Sequence, residues 1–317
     1  MRVRRCVLKS VFSKIMLLVI PALMSFSAFA GDDPDIVDLC GQWQFRASTN
    51  SSEEWLSGTV PGCVHTDLMD RKVIPDPFIG RNEIKVQFIE EINWIYRKTF
   101  KVSDDLLNKK RIDLVCEGLD TVANVKINGK TVGSSDNMYC RYVWSIADVL
   151  KKGENTVEIE FISPIRYVEN LPERRYGALP SSNDRIGGSP FVRKAPYHFG
   201  WDWGPRLVTC GIWRPIYIIA TDLPKIDFVT HQQKHSVDKM TGARKVKVEV
   251  SVEIVSPSAF AGNIECSIGD VAEKQDIDIP AGKSKYTLPL DIENPELWWP
   301  AGHGEQKLYP LKTVLSV

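Results

Sequence analysis

A short aromatic and acidic stretch in the middle of the chain has the residue types needed to bind a sugar. Trp201, Asp202 and Trp203 are consecutive, with Gly200 before them and Gly204-Pro205 after them. Glycine and proline at these positions argue against a regular helix or a central strand. An indole face packs against the C–H face of a sugar, and a carboxylate accepts hydrogen bonds from its hydroxyls. The triplet therefore predicts a rigid sugar-binding loop, the alternative being two core tryptophans with Asp202 capping a turn.

Short β-strands are the elements that would have to position this loop. Apolar and polar residues alternate over residues 93–102 and 155–161, and a hairpin with an Asn128-Gly129 turn is predicted over residues 122–132. We expect a first strand at residues 39–45 and a closing strand at residues 213–219. This pattern of short strands and turns predicts a β-sandwich over residues 31–221.

A second group of strands follows the boundary predicted at Leu223-Pro224. The strongest alternating run of the chain is residues 245–255, in which valine and isoleucine face one way and lysine and glutamate the other. Further short strands are predicted at residues 264–268, 277–279, 286–290 and 308–317. A second sandwich is therefore expected over residues 222–317.

Between the strands, two helical segments and one long loop are predicted. Residues 60–74 start in a turn and contain a helical turn capped by Thr66, and Ser145 caps a short helix at residues 146–151. Residues 164–196 are rich in proline, glycine and arginine, which is typical of a long functional loop. Because this segment leads directly into the Trp-Asp-Trp triplet, we interpret it as one wall of the same site.

Five ordered motifs carry a resemblance to a known family over roughly residues 36–317. The central one is HFGWDWGPR followed by GIWRPIYI; the others are VPGCVHTDLM (60–69), DPFIGRNE (76–83), EGLDTVANVKING (117–129) and LWWPAGHGEQKLY (297–309). Together they resemble the β-mannosidase branch of the family-two glycoside hydrolases. The resemblance implies an all-β fold: a jelly-roll (galactose-binding-like) sandwich, then an immunoglobulin-like sandwich that lacks a closing strand.

The resemblance also implies what each part of the chain does. Such enzymes are exo-acting, retaining glycosidases that release terminal β-D-mannose through two glutamates about 5–5.5 Å apart. In the family both glutamates lie in a catalytic barrel, expected beyond Val317, so no catalytic residue is expected here and the chain alone is predicted to be inactive. Trp201, Asp202 and Trp203 would contact the substrate. Arg206 would either orient Asp202 or pair structurally.

Two further functions stay open at this stage. The chain is either a non-catalytic carbohydrate-binding or interaction fragment, or part of a glycosidase of related, β-galactosidase-like specificity. Asn82-Glu83 imitates the dipeptide that contains the acid/base of such barrels, but its place in the DPFIGRNE motif indicates loop capping instead. Glu90-Glu91 are interpreted as solvated side chains.

Composition excludes several other classes of protein. With 40 basic and 40 acidic residues the net charge is zero, so nucleic-acid binding is not expected. His231 and His235 lie in what is predicted to be a polar loop, and the six cysteines that follow Cys6 form no C-x-x-C pair, so neither a metal nor a cofactor is expected. Those cysteines are interpreted as buried free thiols.

The first thirty residues have the features of an export signal. A basic region is followed by an apolar run and by Ala28-Phe29-Ala30 ahead of Gly31. The apolar run is shorter than the ~20 residues that span a membrane. We therefore expect cleavage near Ala30-Gly31, a periplasmic or secreted mature chain, and no membrane attachment. Asn50-Ser51-Ser52 is a sequon that matters only in a eukaryotic host. The sequence does not indicate the oligomeric state.

Overall fold

The computed structural model describes residues 34–49, 54–171, 184 and 188–317. The predicted signal sequence (1–30), the sequon at Asn50 and most of the arginines in the predicted long loop lie outside these residues. Within the described part of the chain, no helix has the length and apolar character required to cross a lipid bilayer.

Strands dominate the described residues, and the all-β fold class is confirmed. The first sandwich contains β1 Asp35–Asp38, β2 Gly41–Ala47, β3 Leu56–Val60, β4 Trp94–Val102, β5 Arg111–Cys116, β6 Leu119–Asp120, β7 Ala123–Ile127, β8 Lys130–Ser135, β9 Tyr142–Ser145, β10 Gly153–Phe161, β11 Gly211–Ile212 and β12 Ile216–Thr221. The strands predicted at residues 93–102 and 155–161 are therefore confirmed. The first strand predicted at residues 39–45 corresponds to β2, which begins at Gly41, and the closing strand predicted at residues 213–219 corresponds to β12, which begins at Ile216.

These strands form three antiparallel sheets. One has the order β1-β12-β5-β9, the second β3-β2-β4-β10-β7-β8, and the third is the pair β11-β6. The inward residues of the strands build one core, in which the ring of Tyr96 stacks on Phe45 at 5.3 Å between centroids and meets the edge of Phe161 at 5.8 Å. Alternating apolar residues of each strand reach this core because successive side chains of a strand point to opposite faces of the sheet.

The predicted β7–β8 hairpin is confirmed, and the backbone angles of its turn explain why the sequence Asn128-Gly129 forms it. Asn128 and Gly129 have φ angles of +51° and +79°, the left-handed conformation required at both positions of the favoured two-residue turn. The side-chain amide of Asn128 also contributes: its Nδ2 donates to the carbonyl of Val149 (2.9 Å), and its Oδ1 accepts from the N–H of Thr156 (3.0 Å). The turn is thereby tied to the neighbouring strand β10.

Replacing Gly129 tests this turn. Gly129→Ala is expected to lower the free energy of unfolding by about 1–2 kcal/mol, because a left-handed residue with a Cβ is strained. No atom lies within 4 Å of the added Cβ, so the loss would report backbone strain alone. Urea unfolding measures it, with the exposed Lys130→Ala as the matched control. Equal stability of the two variants would contradict the prediction.

Among the described residues, four short α-helices connect the strands, and two local predictions need correction. The helices are α1 Val64–Asp70, α2 Asn82–Lys85, α3 Asp104–Leu107 and α4 Pro164–Glu169. Thr66 does not cap α1: the N-cap is Cys63, and Thr66 is the third helical residue whose hydroxyl reaches back to Cys63. Ser145 ends β9 and caps nothing; the helix there is a 3₁₀ turn at Ala147–Val149 that begins after Ile146.

The second sandwich has its own core. It contains β13 Lys225–Val237, β14 Arg244–Ser256, β15 Phe260–Ile268, β16 Val271–Ile279, β17 Gly282–Glu293 and β18 Leu311–Ser316. The sheets are β13-β14-β17 and β16-β15-β18, and the valines and isoleucines of β14 are buried between them. The strand predicted at residues 245–255 is confirmed, as are those at 264–268, 277–279 and 286–290. The last predicted strand is shorter, since it begins at Leu311.

Two predictions about reactive side chains are also corrected. His231 and His235 do not lie in a polar loop but on the long strand β13, where both are exposed. All six described cysteines are free thiols, yet only Cys116, Cys210 and Cys266 are buried, whereas Cys140 is exposed. Burial, which is the largest cause, raises the pKa of the Cys210 thiol well above its usual value.

Candidate functional site

The Trp-Asp-Trp triplet forms the tip of a loop that spans residues 195–208, here named the tryptophan loop. Trp201 and Gly204 face each other in a tight turn, with N···O distances of 3.3 and 3.5 Å between their backbone groups, so Asp202 and Trp203 occupy the outermost positions. Asp202 is exposed, and Trp201 and Trp203 are 38% and 72% exposed. The alternative of two core tryptophans is therefore wrong.

The tip extends an aromatic surface beyond the triplet. The ring centroid of Trp203 lies 6.5 Å from that of Trp201 and 6.0 Å from that of Tyr197, which is itself 47% exposed. Exposed rings and an exposed acid thus lie together at the tip of one loop. This combination suits a polyhydroxylated ligand, because the rings cover its C–H faces while the carboxylate accepts from its hydroxyls.

A second backbone hydrogen bond joins the two arms of the loop below the tip. The N–H of Leu207 donates to the carbonyl of His198 (3.0 Å). Gly200 lies between the Trp201–Gly204 contact and the Leu207–His198 hydrogen bond. Its φ angle is +102°, a conformation that only glycine adopts without strain. Gly204 has no such requirement, and a Cβ at that position would meet no atom within 4 Å. Of the two glycines that bracket the triplet, one is needed for the backbone.

Arg206 fixes one side of the loop. Its guanidinium donates to Glu90 Oε1 (2.9 Å), Asp184 Oδ1 (3.1 Å) and the carbonyl of Phe199 (3.0 Å), and its side chain is only 10% exposed. Its backbone N–H donates to Glu83 Oε1 at 2.8 Å. Arg206 therefore anchors the loop, which is the structural pairing left open above, rather than orienting Asp202.

The sequence pattern missed the partners of Arg206. Glu90 is not solvated as predicted: it is 7% exposed, and burial, the largest cause, raises its pKa against the opposing effect of Arg206. Asn82-Glu83 contributes to the same anchor, with Glu83 bound to the Arg206 backbone. The side chain of Gln87 donates to the carbonyl of Arg206 (2.8 Å) and completes this support.

An apolar cluster holds the same loop from below. Phe199 and Val208 pack with Ile165 and Val168 of α4 and with Val192, all of them buried. The segment that was predicted to be a long loop over residues 164–196 thus begins with a helix, whose apolar face supports the loop. Ser163 caps this helix by accepting from the N–H of Arg166 (3.2 Å).

A second buried charge pair lies at the base of the loop. Lys194 Nζ donates to Asp120 Oδ1 and Oδ2, both at 2.6 Å, and to the carbonyl of Thr209 at 2.7 Å. The side chains of Lys194 and Asp120 are 0% and 3% exposed. His198 Nδ1 lies 3.7 Å from Asp120 Oδ2. Nothing in the local sequence around Asp120 or Lys194 indicated this pairing.

Two histidines next to this pair are held neutral. Burial, as the largest cause, together with the nearby charge of Lys194, lowers the pKa of His65 and of His198 from 6.5 to about 4. Among the described residues, Nδ1 of each ring is buried without a hydrogen-bond partner. Both histidines are therefore neutral, buried side chains near the Lys194–Asp120 ion pair. The described residues contain no group of three or more side chains arranged to hold a metal ion.

Both sandwiches of this chain match known protein families. Residues 43–214 match the family described as "Glycosyl hydrolase 2 galactose-binding domain-like", and residues 226–317 match "Glycosyl hydrolases family 2". Among curated relatives, a "Beta-mannosidase" of Bos taurus is 31% identical over 89% of this chain, and a "Beta-mannosidase B" of Thermothelomyces thermophilus is 33% identical over 88%. The chain spans about a third of the length of these relatives (33% and 32%).

Solved structures of longer enzymes are also similar to this chain over part of their length. The crystal structure of a β-D-mannosidase from Dictyoglomus thermophilum matches with a TM-score of 0.76 and 34% identity, over 89% of this chain and 34% of that one. An exo-chitosanase from Amycolatopsis orientalis matches with a TM-score of 0.55 at 18% identity, over 90% of this chain and 32% of that one, which shows the shared fold alone. Since one family domain covers residues 43–214 and a second covers residues 226–317, the chain belongs to glycosyl hydrolase family 2.

Proposed function

We propose that this chain is the N-terminal portion of an exo-acting, retaining β-mannosidase and that its tryptophan loop binds the terminal mannose of the substrate. The observation that carries the proposal is the exposed carboxylate of Asp202 between the exposed indoles of Trp201 and Trp203. Relatives at 31–33% identity with the name β-mannosidase support the choice of sugar.

In this proposal the chain binds and orients, while the reacting carboxylates lie elsewhere in the enzyme. Retaining hydrolysis uses two carboxyl groups about 5–5.5 Å apart, one as nucleophile and one as acid/base. Relatives three times as long have room for the barrel that would contain them. Asp202 would accept hydrogen bonds from mannose hydroxyls, and the indoles would exclude water from one side of the ring. The mature protein would act in the periplasm or outside the cell.

Asp202→Ala tests the proposal in the full-length enzyme that it requires. Charge-assisted hydrogen bonds contribute about 1.5–3 kcal/mol each, so kcat/KM for an aryl β-mannoside should fall about 10- to 100-fold. Part of the loss should fall on kcat, because contacts that strengthen in the distorted transition state are removed. The melting temperature should stay unchanged, since Asp202 is exposed at the tip of the loop.

A matched control is Asp276→Ala, which removes an exposed carboxylate from strand β16 of the second sandwich. Its kinetics should equal those of the unsubstituted enzyme. If Asp202→Ala lowers the melting temperature while the folded fraction keeps normal kinetics, Asp202 is structural and the proposal fails. An unchanged kcat/KM at an unchanged melting temperature also excludes the proposed contact.

A further inference from the structure

The ammonium group of Lys194 has all of its hydrogen-bonding capacity in use. Its three protons meet three acceptors at 2.6–2.7 Å, two oxygens of Asp120 and the carbonyl of Thr209. Lysine is almost never fully buried unless it is paired, and Lys194 has 0% exposure. A buried ion pair is weak evidence for stability, because desolvation offsets much of the attraction; fixing a register is its better-attested use.

The acceptors of Lys194 tie both ends of the tryptophan loop to one point. Lys194 directly precedes the loop and Thr209 directly follows it, so a single nitrogen joins its two ends. Asp120 lies on β6, and its backbone pairs with Gly211, two residues beyond Thr209. The carboxylate, the strand pair β6–β11 and both ends of the loop therefore form one connected frame.

The connections above this frame become weaker towards the tip. The middle level is the 3.0 Å hydrogen bond from the N–H of Leu207 to the carbonyl of His198, next to the Arg206 anchor described above. The backbone contacts between Trp201 and Gly204 at the tip are longer, at 3.3 and 3.5 Å. His198, at the middle level, lies 3.7 Å from the same carboxylate of Asp120. A change at Asp120 thus acts on the loop at its base and at His198, whereas the Arg206 anchor holds residues 199 and 206 independently of Asp120.

We infer that Asp120 and Lys194 are positioning residues, whose buried ion pair sets where Asp202 and Trp203 lie. The inference rests on the proposed function, because the location of the tip matters to activity only if the tip meets a sugar. Neither residue contacts the tip; each acts through the backbone of residues 195–208. Small displacements of a binding group have large kinetic effects, since a misplacement of about 1 Å can cost on the order of 100-fold.

The double variant Asp120→Asn plus Lys194→Met separates positioning from stability. It removes both charges and keeps similar volumes, so no unpaired charge is left buried and the fold should be retained. The probe is the 317-residue chain labelled with 5-fluorotryptophan and observed by fluorine NMR without any sugar. Resonances of Trp201 and Trp203 are assigned with the Phe variant at each position.

The expected result is a shift or splitting of the Trp201 and Trp203 resonances in the double variant. Trp43 and Trp94, which are 2% and 5% exposed in the core of the first sandwich, should keep their resonances. A merely structural pair predicts the opposite pattern, with tip resonances like those of the unsubstituted protein once the fold is retained. That outcome would overturn the inference.

A second variant keeps the inference testable if the double variant does not fold. Asp120→Glu keeps the charge of the pair, so no buried charge is left unpaired, and lengthens the side chain by one methylene, so it should shift the same two resonances. Unshifted tip resonances in this variant would count against positioning. In the full-length enzyme, Asp120→Glu should then lower kcat/KM about tenfold. Shifted resonances with unchanged kinetics, together with a neutral Asp202→Ala, would instead refute the proposed sugar contact and leave the positioning intact.

Discussion

Arg206→Met is expected to lower the free energy of unfolding by about 3–5 kcal/mol, because it leaves the buried carboxylate of Glu90 without its cation. Glu90 and Asp184 are 7% and 2% exposed at the side chain, and both accept hydrogen bonds from the Arg206 guanidinium. The variant also removes the donor to the carbonyl of Phe199. Methionine occupies much of the same volume, so the loss would reflect charge and hydrogen bonding rather than a cavity. Urea unfolding followed by circular dichroism measures it.

Two further variants identify the cause of that loss. Arg193→Met changes an exposed arginine of the same segment and should alter stability by less than about 0.5 kcal/mol. Adding Glu90→Gln to Arg206→Met removes the stranded charge of Glu90 and should restore part of the stability. If the double variant is as unstable as the single one, stranded charge is not the cause, and the loss comes from the hydrogen bonds and packing of Arg206.

Acid should destabilise the first sandwich through its two buried histidines. An unfolded chain protonates histidine as the pH falls through about 6.5, whereas His65 and His198 stay neutral in the folded protein down to about pH 4. Between these values the unfolded state binds more protons, so stability falls as the pH falls. From pH 7 to pH 4.5 each histidine should account for a loss of about 2 kcal/mol. The groups that act on His65 are Lys194 and His198, and those that act on His198 are Lys194 and Asp120.

The measurement is the free energy of unfolding across this pH range for the protein and for His65→Gln. The glutamine variant should lose about 2 kcal/mol less on acidification, because one titrating group is gone. Buried carboxyl groups with raised pKa, Asp67 and Glu90, act in the opposite direction, but they are common to both proteins and cancel in the difference. His231→Gln, on an exposed part of β13, should leave the pH dependence unchanged. Parallel curves for the protein and His65→Gln would contradict the assignment.

The strands could be predicted from the sequence because their pattern is local. Alternation over residues 245–255 and the Asn128-Gly129 turn each lie within a few consecutive residues, and the structure has both. The exposed triplet could also be recognised, because a glycine and a proline adjoin it. Helix ends were less certain: the cap of α1 lies three residues before the predicted Thr66, since the side chain of Thr66 reaches backward to Cys63.

The supports of the candidate site could not be predicted in this way. Glu90 and Arg206 are 116 positions apart, and Asp120 and Lys194 are 74 positions apart. Each of these residues has the local signature of a solvated charge, and only the pairing of β6 with β11 and the packing of α4 bring the partners together. Partnership between distant charges depends on the tertiary fold, so a reading of neighbouring residues predicted Glu90 to be exposed.

Under the proposed sugar contact, the contrast between the buried base and the exposed tip of the tryptophan loop bears on how such a protein can acquire a new sugar preference. The base is held by the buried ion pairs of Lys194 and Arg206, whereas the side chains of Asp202 and Trp203 are exposed, with Trp203 packing near the exposed rings of Tyr197 and Trp201. Substitutions at these two positions are therefore nearly free of a folding penalty, since exposed side chains away from such anchors rarely change stability. Selection, natural or in a library randomised at both codons, can explore ligand preference there without first accumulating compensating changes elsewhere.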